Sequence, residues 1–204
     1  MPHPADIAVA TTSDRARVVS SLVAAFAEDP ALRYLFPDEV LFGQQAGAFF
    51  GHLFDKRVGR GTIWTIEGGA ATAIWEPPSA GNTSSDEALA AELPADTMAR
   101  VRAYDHAVHT ALPTSSFWYL GVLGTHPEYV GRRWGRAVMT AGLSRAAADQ
   151  VPAVLETSNP SNVELYRRAG WEVVGTIAEP LPTWIMRQQP RPAALTSGNG
   201  GSLC

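Results

Sequence analysis

Cysteine is almost missing from this sequence, since Cys204 is the only one among 204 residues. One cysteine excludes an intrachain disulfide and a zinc site built from several thiolates. Charged residues are also sparse, at 18% of the chain with a net charge of −4, which argues against a broad nucleic-acid-binding surface. The 16 lysines and arginines could still form one local patch for a small polyanion.

Long apolar runs and the basic-then-apolar start of a secretory signal are lacking as well. We therefore expect a cytoplasmic protein that binds neither membranes nor nucleic acid. The phosphate-binding patterns G-x-x-x-x-G-K-S/T and G-x-G-x-x-G after an N-terminal strand are absent, so a P-loop or Rossmann fold is not expected. With 46% hydrophobic residues, one domain over residues 1–187 and a flexible tail over 188–204 are predicted.

The most informative stretch runs from Phe117 to Asp149. It begins with an aromatic and β-branched run, typical of a buried strand, which Gly121 interrupts where the backbone must bend or open. A short link follows, and apolar residues at helical spacing then predict a helix from Arg132 onward.

The start of that predicted helix has the chemistry of a diphosphate site. Unpaired amides and the positive end of the helix dipole attract anions. Arg132, Arg133 and Arg136 would each oppose helix formation by roughly 0.3 to 1 kcal/mol unless a polyanion lay beside them. Gly131 and Gly135 would let the backbone approach a phosphate closely. A solvated basic helix start with two incidental glycines is the alternative.

The remaining chain predicts a mixture of strands and helices. Before the stretch, we expect a strand at 7–9, a helix from 13 or 14 to 26, a helical region at 37–53, a hairpin of strands at 62–67 and 70–75, a polar loop at 79–85, and a helical region at 86–112 that Pro94 splits. After it, we expect a strand at 153–157, a helix at 160–169, and strands at 171–177 and 184–187.

Two segments in this order resemble the core of the GNAT acyl-CoA N-acetyltransferases. The family's phosphate loop, Q/R-x-x-G-x-G/A, is similar to Val130-Gly131-Arg132-Arg133-Trp134-Gly135, with Val130 and Arg133 departing from the pattern. Residues 155–174, LETSNPSNVELYRRAGWEVV, resemble the family's fifth strand, following helix and sixth strand. Segments at 24–30, 75–78 and 183–186 extend the similarity to the puromycin N-acetyltransferase branch, over residues 6–188.

The resemblance implies an α/β (α+β) architecture, the GNAT fold, with a central mixed, mostly antiparallel sheet of six to seven strands. That sheet would be splayed between strands 4 and 5 and flanked by helices. The implied function is acetyl transfer from acetyl-CoA to the amine of a small molecule, such as an aminonucleoside antibiotic, by direct attack in a ternary complex. A non-catalytic acyl-CoA-binding module and an N-acetyltransferase of a peptide or protein amine are the alternatives. The protein is expected to be either a monomer or a homodimer.

Individual residues receive roles from the same resemblance. Tyr166 would protonate the coenzyme A sulfur. Glu156, on the fifth strand beside the splay, could accept the ammonium proton, or could only orient the substrate or balance an arginine. Asn159 and Asn162 are cofactor contacts or else turn and cap residues. The implied cofactor-binding set also contains Leu123, Gly124, Thr125, Val130, Gly131, Arg132, Arg133, Trp134, Gly135 and Arg136.

The acceptor side is less defined by sequence. Glu28 and Asp29 could attract a cationic amine, or could lie at a solvent-facing helix end. Aromatic residues that could stack on an aromatic or nucleoside-like acceptor, although most aromatics are core, are Tyr34, Phe36, Trp75 and Trp118. His106 and His109 lie three residues apart on a predicted helix without convincing partner ligands, so no metal site is predicted.

Overall fold

The fold is built on one seven-stranded sheet, seen in a computed structural model that describes residues 6–78 and 87–190. The predicted loop at 79–85 and the chain after residue 190 lie outside the described residues. The strands are β1 (Ile7–Val9), β2 (Ile63–Ile66), β3 (Ala71–Glu76), β4 (Trp118–Thr125), β5 (Ala153–Thr157), β6 (Glu172–Ile177) and β7 (Thr183–Gln188), in the spatial order β1-β2-β3-β4-β5-β7-β6.

Strand direction confirms the predicted fold class. β4 and β5 pair in parallel, whereas the other neighbouring strands of the described sheet pair antiparallel. The sheet is therefore mixed and mostly antiparallel, with helices on both faces, as in the GNAT fold.

Seven α-helices accompany these strands within the described residues. They are α1 (Arg15–Ala25), α2 (Pro30–Leu35), α3 (Phe42–Val58), α4 (Glu87–Glu92), α5 (Ala95–Ala111), α6 (Trp134–Ala148) and α7 (Pro160–Arg168). Pro94 separates α4 from α5, as expected from a residue that lacks an amide hydrogen. None of the described helices is long and apolar enough to cross a membrane.

Each face of the sheet packs against its own helices. On the face that we call the front, α1 to α5 bury an apolar cluster that includes Phe36, Phe50 and Phe54. On the opposite face, the back, α6 and α7 cover a cluster that includes Trp75 and Trp118. The sheet therefore separates two cores, and a strand residue belongs to one or the other according to where its side chain points.

A β-bulge at Gly121 changes which face β4 residues contact. Ile74 pairs with Val122 and Trp75 pairs with Leu120, so Gly121 is an extra residue in β4. Leu120 packs in the back core, whereas Val122, two residues later, packs in the front core. The bulge thus shifts the alternation by one residue, which confirms the predicted interruption at Gly121.

β4 and β5 separate directly beside this bulge. Their pairing covers three residues of each strand and ends at Leu120 opposite Leu155. β4 continues to Thr125 and β5 to Thr157 without pairing with each other. The predicted splay between strands 4 and 5 is therefore confirmed, and it leaves one edge of β4 without a strand partner.

Candidate active site

Two cavities meet where β4 and β5 separate. The smaller has a volume of about 120 Å³ and is lined by residues that include Leu123, Asn162 and Tyr166. We call it the splay cavity. The larger, about 520 Å³, extends across the front of the sheet between α3 and α5, and we call it the front cavity. Its volume lies within the range of about 300 to 1,000 Å³ that is usual for small-molecule sites.

Glu156 lies at the junction and lines both cavities. It is the first β5 residue after the last pair with β4. The hydroxyl of Tyr119 donates a hydrogen bond to Glu156 Oε2. Burial raises the pKa of Glu156 to about 7, while the Tyr119 hydrogen bond lowers it. Both protonation states are therefore populated near neutral pH, which suits a general base.

Tyr166 contributes a proton donor to the splay cavity. It lies on α7, and its ring contacts Trp171 edge-on with a centroid distance of 6.0 Å. Burial, together with the nearby Glu156 charge, raises the pKa of Tyr166 well above its ordinary value. Within the described residues its hydroxyl has no hydrogen-bond partner. The phenol is thus protonated at neutral pH and is free to donate.

The end of β4 packs onto the start of α6. A Cβ atom added to Gly135 would lie 3.0 Å from Thr125 Oγ1. A Cβ atom on Gly124 would lie 2.6 Å from Leu22 Cδ2, so α1 covers the other side of the strand. Thr125, at the end of β4, therefore adjoins Gly135 in the first turn of α6.

The loop before α6 adopts left-handed backbone conformations at two residues. Gly131 has a φ of +89° and Arg133 a φ of +63°, and these left-handed conformations delay the helix to Trp134, two residues after its predicted start. No side chain caps the helix start. Nothing lies within 4 Å of a Cβ atom built on Gly131, so a bulky anion could approach the loop there.

The arginines of this loop are exposed. The Arg132 guanidinium lies 5.1 Å from the ring centroids of both Tyr129 and Trp134, and these two rings stack on each other at 5.1 Å. Arg132, Arg133 and Arg136 form no ion pair with any acidic residue in the described part of the chain. Val130 is 70% exposed beside them. Their charge therefore remains available to an anionic ligand.

The two predicted asparagines occupy different environments. The Asn159 side chain caps α7, because its Oδ1 accepts a hydrogen bond of 3.0 Å from the Ser161 amide. Asn162 lines the splay cavity, and its Nδ2 donates to Thr157 Oγ1 at 3.5 Å. Asn162 is therefore positioned at the candidate site, and Asn159 serves the fold.

The two carboxylates after α1 point in different directions. Asp29 lines the splay cavity and caps α2, with its Oδ1 accepting from the amides of Ala31 and Leu32 at 2.9 and 3.2 Å. Burial raises the pKa of Asp29. Glu28 is exposed, forms an ion pair of 3.2 Å with Arg33, and lines neither cavity.

The structure does not bring the predicted aromatic residues to the acceptor site. Trp75 and Trp118 are 0% and 4% exposed in the back core, because strand alternation directs them toward α6. Phe36 is buried in the front core, and Tyr34 packs against that core outside both cavity linings. Aromatic residues that do line the front cavity are Phe49, Tyr104, Phe117 and Tyr119.

Sequence reasoning missed three polar features of the front cavity. Tyr104 and Tyr119 line it, and so does an ion pair in which Arg57 Nη2 donates to Glu76 Oε1. Alternation from Trp118 could have placed Tyr119 on the front face. Tyr104 and Arg57 lie on helices far from β5 in sequence, so no local pattern points to them.

No group of three or more His, Cys, Asp or Glu residues that could hold a metal ion occurs within residues 6–78 and 87–190. His109 Nδ1 lies 3.3 Å from Asp105 Oδ1, which gives an ion pair when the imidazole is protonated. Both residues line the front cavity.

No protein-family model matches the chain, but its fold matches solved acetyltransferases. A histone acetyltransferase HPA2 and related acetyltransferase from Corynebacterium glutamicum is 21% identical and has a TM-score of 0.66, with 94% of this chain and 99% of that chain covered. Arylalkylamine N-acetyltransferase 2 from Aedes aegypti is 11% identical with a TM-score of 0.61, covering 91% and 99%.

A third similar structure is the polyamine N-acetyltransferase of Drosophila melanogaster. It is 15% identical and has a TM-score of 0.56, with 90% of this chain and 100% of that chain covered. These matches span nearly the full length of each protein at low identity. They therefore show that the chain has the fold of GNAT-type N-acetyltransferases.

Proposed function

We propose that this protein is an acetyl-CoA-dependent N-acetyltransferase that acetylates the amine of a small molecule. One observation carries the proposal: Glu156, a carboxylate with a pKa of about 7, lies at the junction of two cavities beside the splayed strands. A base in that position can reach an amine in the front cavity and an acyl group in the splay cavity.

The residues of the donor side fit acetyl-CoA, which would supply an activated acetyl thioester. The unpaired edge of β4 offers backbone groups to the amides of a pantetheine arm. The uncapped start of α6 and the open space beside Gly131 suit a diphosphate. Cations that would neutralise its charge are Arg132, Arg133 and Arg136. We call residues 123–125 and 130–136 the donor site.

Two side chains would then move the protons of acetyl transfer. Glu156 would accept a proton from the amine as the amine attacks the carbonyl carbon directly, in a ternary complex. Tyr166 would donate its hydroxyl proton to the departing sulfur, because its raised pKa keeps it protonated. Asp29 would favour a cationic amine near the splay cavity.

The acceptor would occupy the front cavity. Its aromatic walls and its carboxylates suit an amine carried on an aromatic or nucleoside-like body. Because the cavity lies between α3 and α5, we favour a small molecule over a peptide or protein. The resemblance to the puromycin branch makes an aminonucleoside such as puromycin the first acceptor to test. The cytoplasmic location, the single domain and the oligomeric state stay predictions.

Acetyl-CoA and a panel of amines would test the proposal. The panel should contain puromycin, an arylalkylamine, a polyamine and a short peptide, with free thiol and acetylated product followed together. We expect turnover of at least one small amine and little turnover of the peptide. Calorimetric binding of coenzyme A with no turnover would instead favour an acyl-CoA-binding module, and no binding would reject the donor site.

A further inference from the structure

Tyr119 makes the one side-chain hydrogen bond to Glu156 found in the described residues. We propose that Tyr119 is a positioning residue that fixes the orientation and the proton affinity of Glu156. The expected effect of Tyr119 on the reaction rate rests on the proposed function. Its expected effect on the pKa of Glu156 rests on the side-chain contacts alone.

The Tyr119 ring packs against a neighbouring side chain of β4 and beside the backbone of the bulge. Phe117 contacts it edge-on, with a centroid distance of 6.4 Å and an interplanar angle of 70°. On the other side, a Cβ atom added to Gly121 would lie 3.4 Å from Tyr119 Cε1. The ring therefore passes close to the backbone of the bulge. Phe117 limits the ring on one side, and the Tyr119 hydroxyl is directed at Glu156 Oε2.

The other tyrosines near Glu156 are engaged differently. The Tyr104 hydroxyl lies 3.3 Å from Ser158 Oγ, which in turn lies 2.7 Å from Thr183 Oγ1. Tyr166 faces the splay cavity and does not bond Glu156 within the described residues. Tyr119 is therefore distinguished from its neighbours by direct contact with the carboxylate.

Charged groups surround Glu156 from several elements. Burial is the largest cause of the raised pKa of Glu156, and the charges of Asp105 on α5 and Asp29 at the start of α2 raise it further. Glu76, the strand neighbour of Tyr119 on β3, is engaged by Arg57 of α3. Further titratable side chains facing the shared cavities are His52 and Lys56 on α3, Tyr104 and His109 on α5, and Tyr166 on α7.

A donated hydrogen bond stabilises the ionised carboxylate and so opposes burial and the neighbouring acids. Tyr119 itself stays protonated, because burial and the Glu156 charge raise its pKa well above the ordinary value. Without the hydroxyl, Glu156 would hold its proton at higher pH and would lose one constraint on its rotation.

Tyr119→Phe tests the kinetic consequence. We expect the rising limb of the pH–rate profile to move upward by about one pH unit, so that the variant is several-fold slower at pH 7 and recovers part of that loss at pH 9. The matched variant Tyr104→Phe should not move this limb. An equal loss at every pH for Tyr119→Phe would indicate a merely structural role and would overturn the proposal.

A second measurement needs no turnover. The carboxyl C=O band of Glu156 can be followed by infrared titration and assigned by its loss in Glu156→Gln. We expect its midpoint to rise in Tyr119→Phe and to stay in place in Tyr104→Phe. A shift in a protein with no acetyltransferase activity would uphold the positioning role and reject the proposed function, whereas an unchanged midpoint would overturn the positioning role.

A fluorinated tyrosine at position 119 provides the opposite perturbation and keeps the full side chain. Because a more acidic phenol is a stronger donor, we expect the Glu156 midpoint to fall. This variant also serves if Tyr119→Phe fails to fold. An unchanged or higher midpoint would contradict the proposal.

Discussion

The donor site and the front cavity are built in contrasting ways. The donor site comes from one stretch of chain, in which the end of β4, a turn and the start of α6 follow one another. The front cavity takes side chains from α3, α5, β3, β4 and β5. A site of backbone groups within one stretch leaves a local pattern in the sequence, whereas a site of distant side chains depends on how helices pack.

The donor site and the front cavity also differ in whether their charged side chains have partners. The donor site has three exposed arginines without ion pairs in the described chain. In the front cavity, Glu76 engages Arg57 and Tyr119 engages Glu156. We therefore expect donor binding to respond to salt and chemistry to respond to pH. Substitutions should separate these two behaviours.

Glu156→Gln should give the largest separation. We expect kcat to fall by about 10³-fold, because general bases contribute about 10² to 10⁴, while the Kd of coenzyme A changes little. Steady-state kinetics and calorimetry measure the two quantities. Glu172→Gln, which alters an exposed carboxylate on β6, is the control. A similar loss in that control would deny Glu156 a special role.

The pH dependence of the free energy of unfolding should also report on Glu156. The folded-state pKa of Glu156 is about 7 against an ordinary 4.5, so the folded protein binds the proton more tightly. Stability should therefore fall as pH rises from about 4.5 to above 7, by at most about 3 kcal/mol from this group. Urea unfolding at pH 5 and pH 8 should show a smaller fall in Glu156→Gln. An equal fall in both proteins would contradict the burial of this charge.

Tyr166→Phe probes the junction from the splay cavity. We expect kcat to fall by about 10²-fold when the acid is removed, with binding of coenzyme A retained. A donor thioester with a more acidic thiol should show a smaller loss, because its sulfur needs less protonation. A loss in affinity in place of kcat would reassign Tyr166 to binding.

Gly142→Ala tests the back core, on which the donor site rests. A Cβ atom there would lie 2.2 Å from Trp75 Cε2, so we expect destabilisation of about 2 kcal/mol from overpacking. Gly47→Ala on α3, where nothing lies within 4 Å of the added atom, should stabilise by about 0.5 to 1 kcal/mol. Thermal unfolding of both variants checks this, and equal effects would refute the close packing.

Arg132→Ala, Arg133→Ala and Arg136→Ala should each weaken coenzyme A binding by about 1 kcal/mol or less, roughly fivefold, and less so at high salt. Their kcat profiles against pH should not move. Arg145→Ala, near the other end of the same helix, is the control. An equal loss in affinity for that variant would show that net charge, not position, governs binding.

Sequence predicted the elements that repeat a local pattern. β5 was placed correctly at 153–157, and the interruption predicted at Gly121 is a bulge. The splay beside it was implied by the family resemblance. α2 was not predicted, because a proline after a helix usually marks only its end, whereas here Asp29 caps and Pro30 begins a second helix.

Prediction of the acceptor side was limited by side-chain direction. The residue type of an aromatic side chain does not reveal which face of the sheet it points to. Trp75 and Trp118 were therefore expected at the site, but they lie behind the sheet. Tyr104 and Arg57 reach the cavity only through packing of α5 and α3 against the front. Such contacts between distant segments are settled by tertiary structure, not by periodicity.

The extra residue in β4 constrains how this protein can change over evolutionary time. Deleting Gly121 would turn every later side chain of the strand over, so that Val122 would point at α6 and Leu123 at α1. The number of residues between Tyr119 and Thr125 therefore cannot change without shifting the register of the strand. Acceptor preference can therefore diversify through substitutions that line the front cavity, which leave the register unchanged, but not through insertions or deletions in this part of β4.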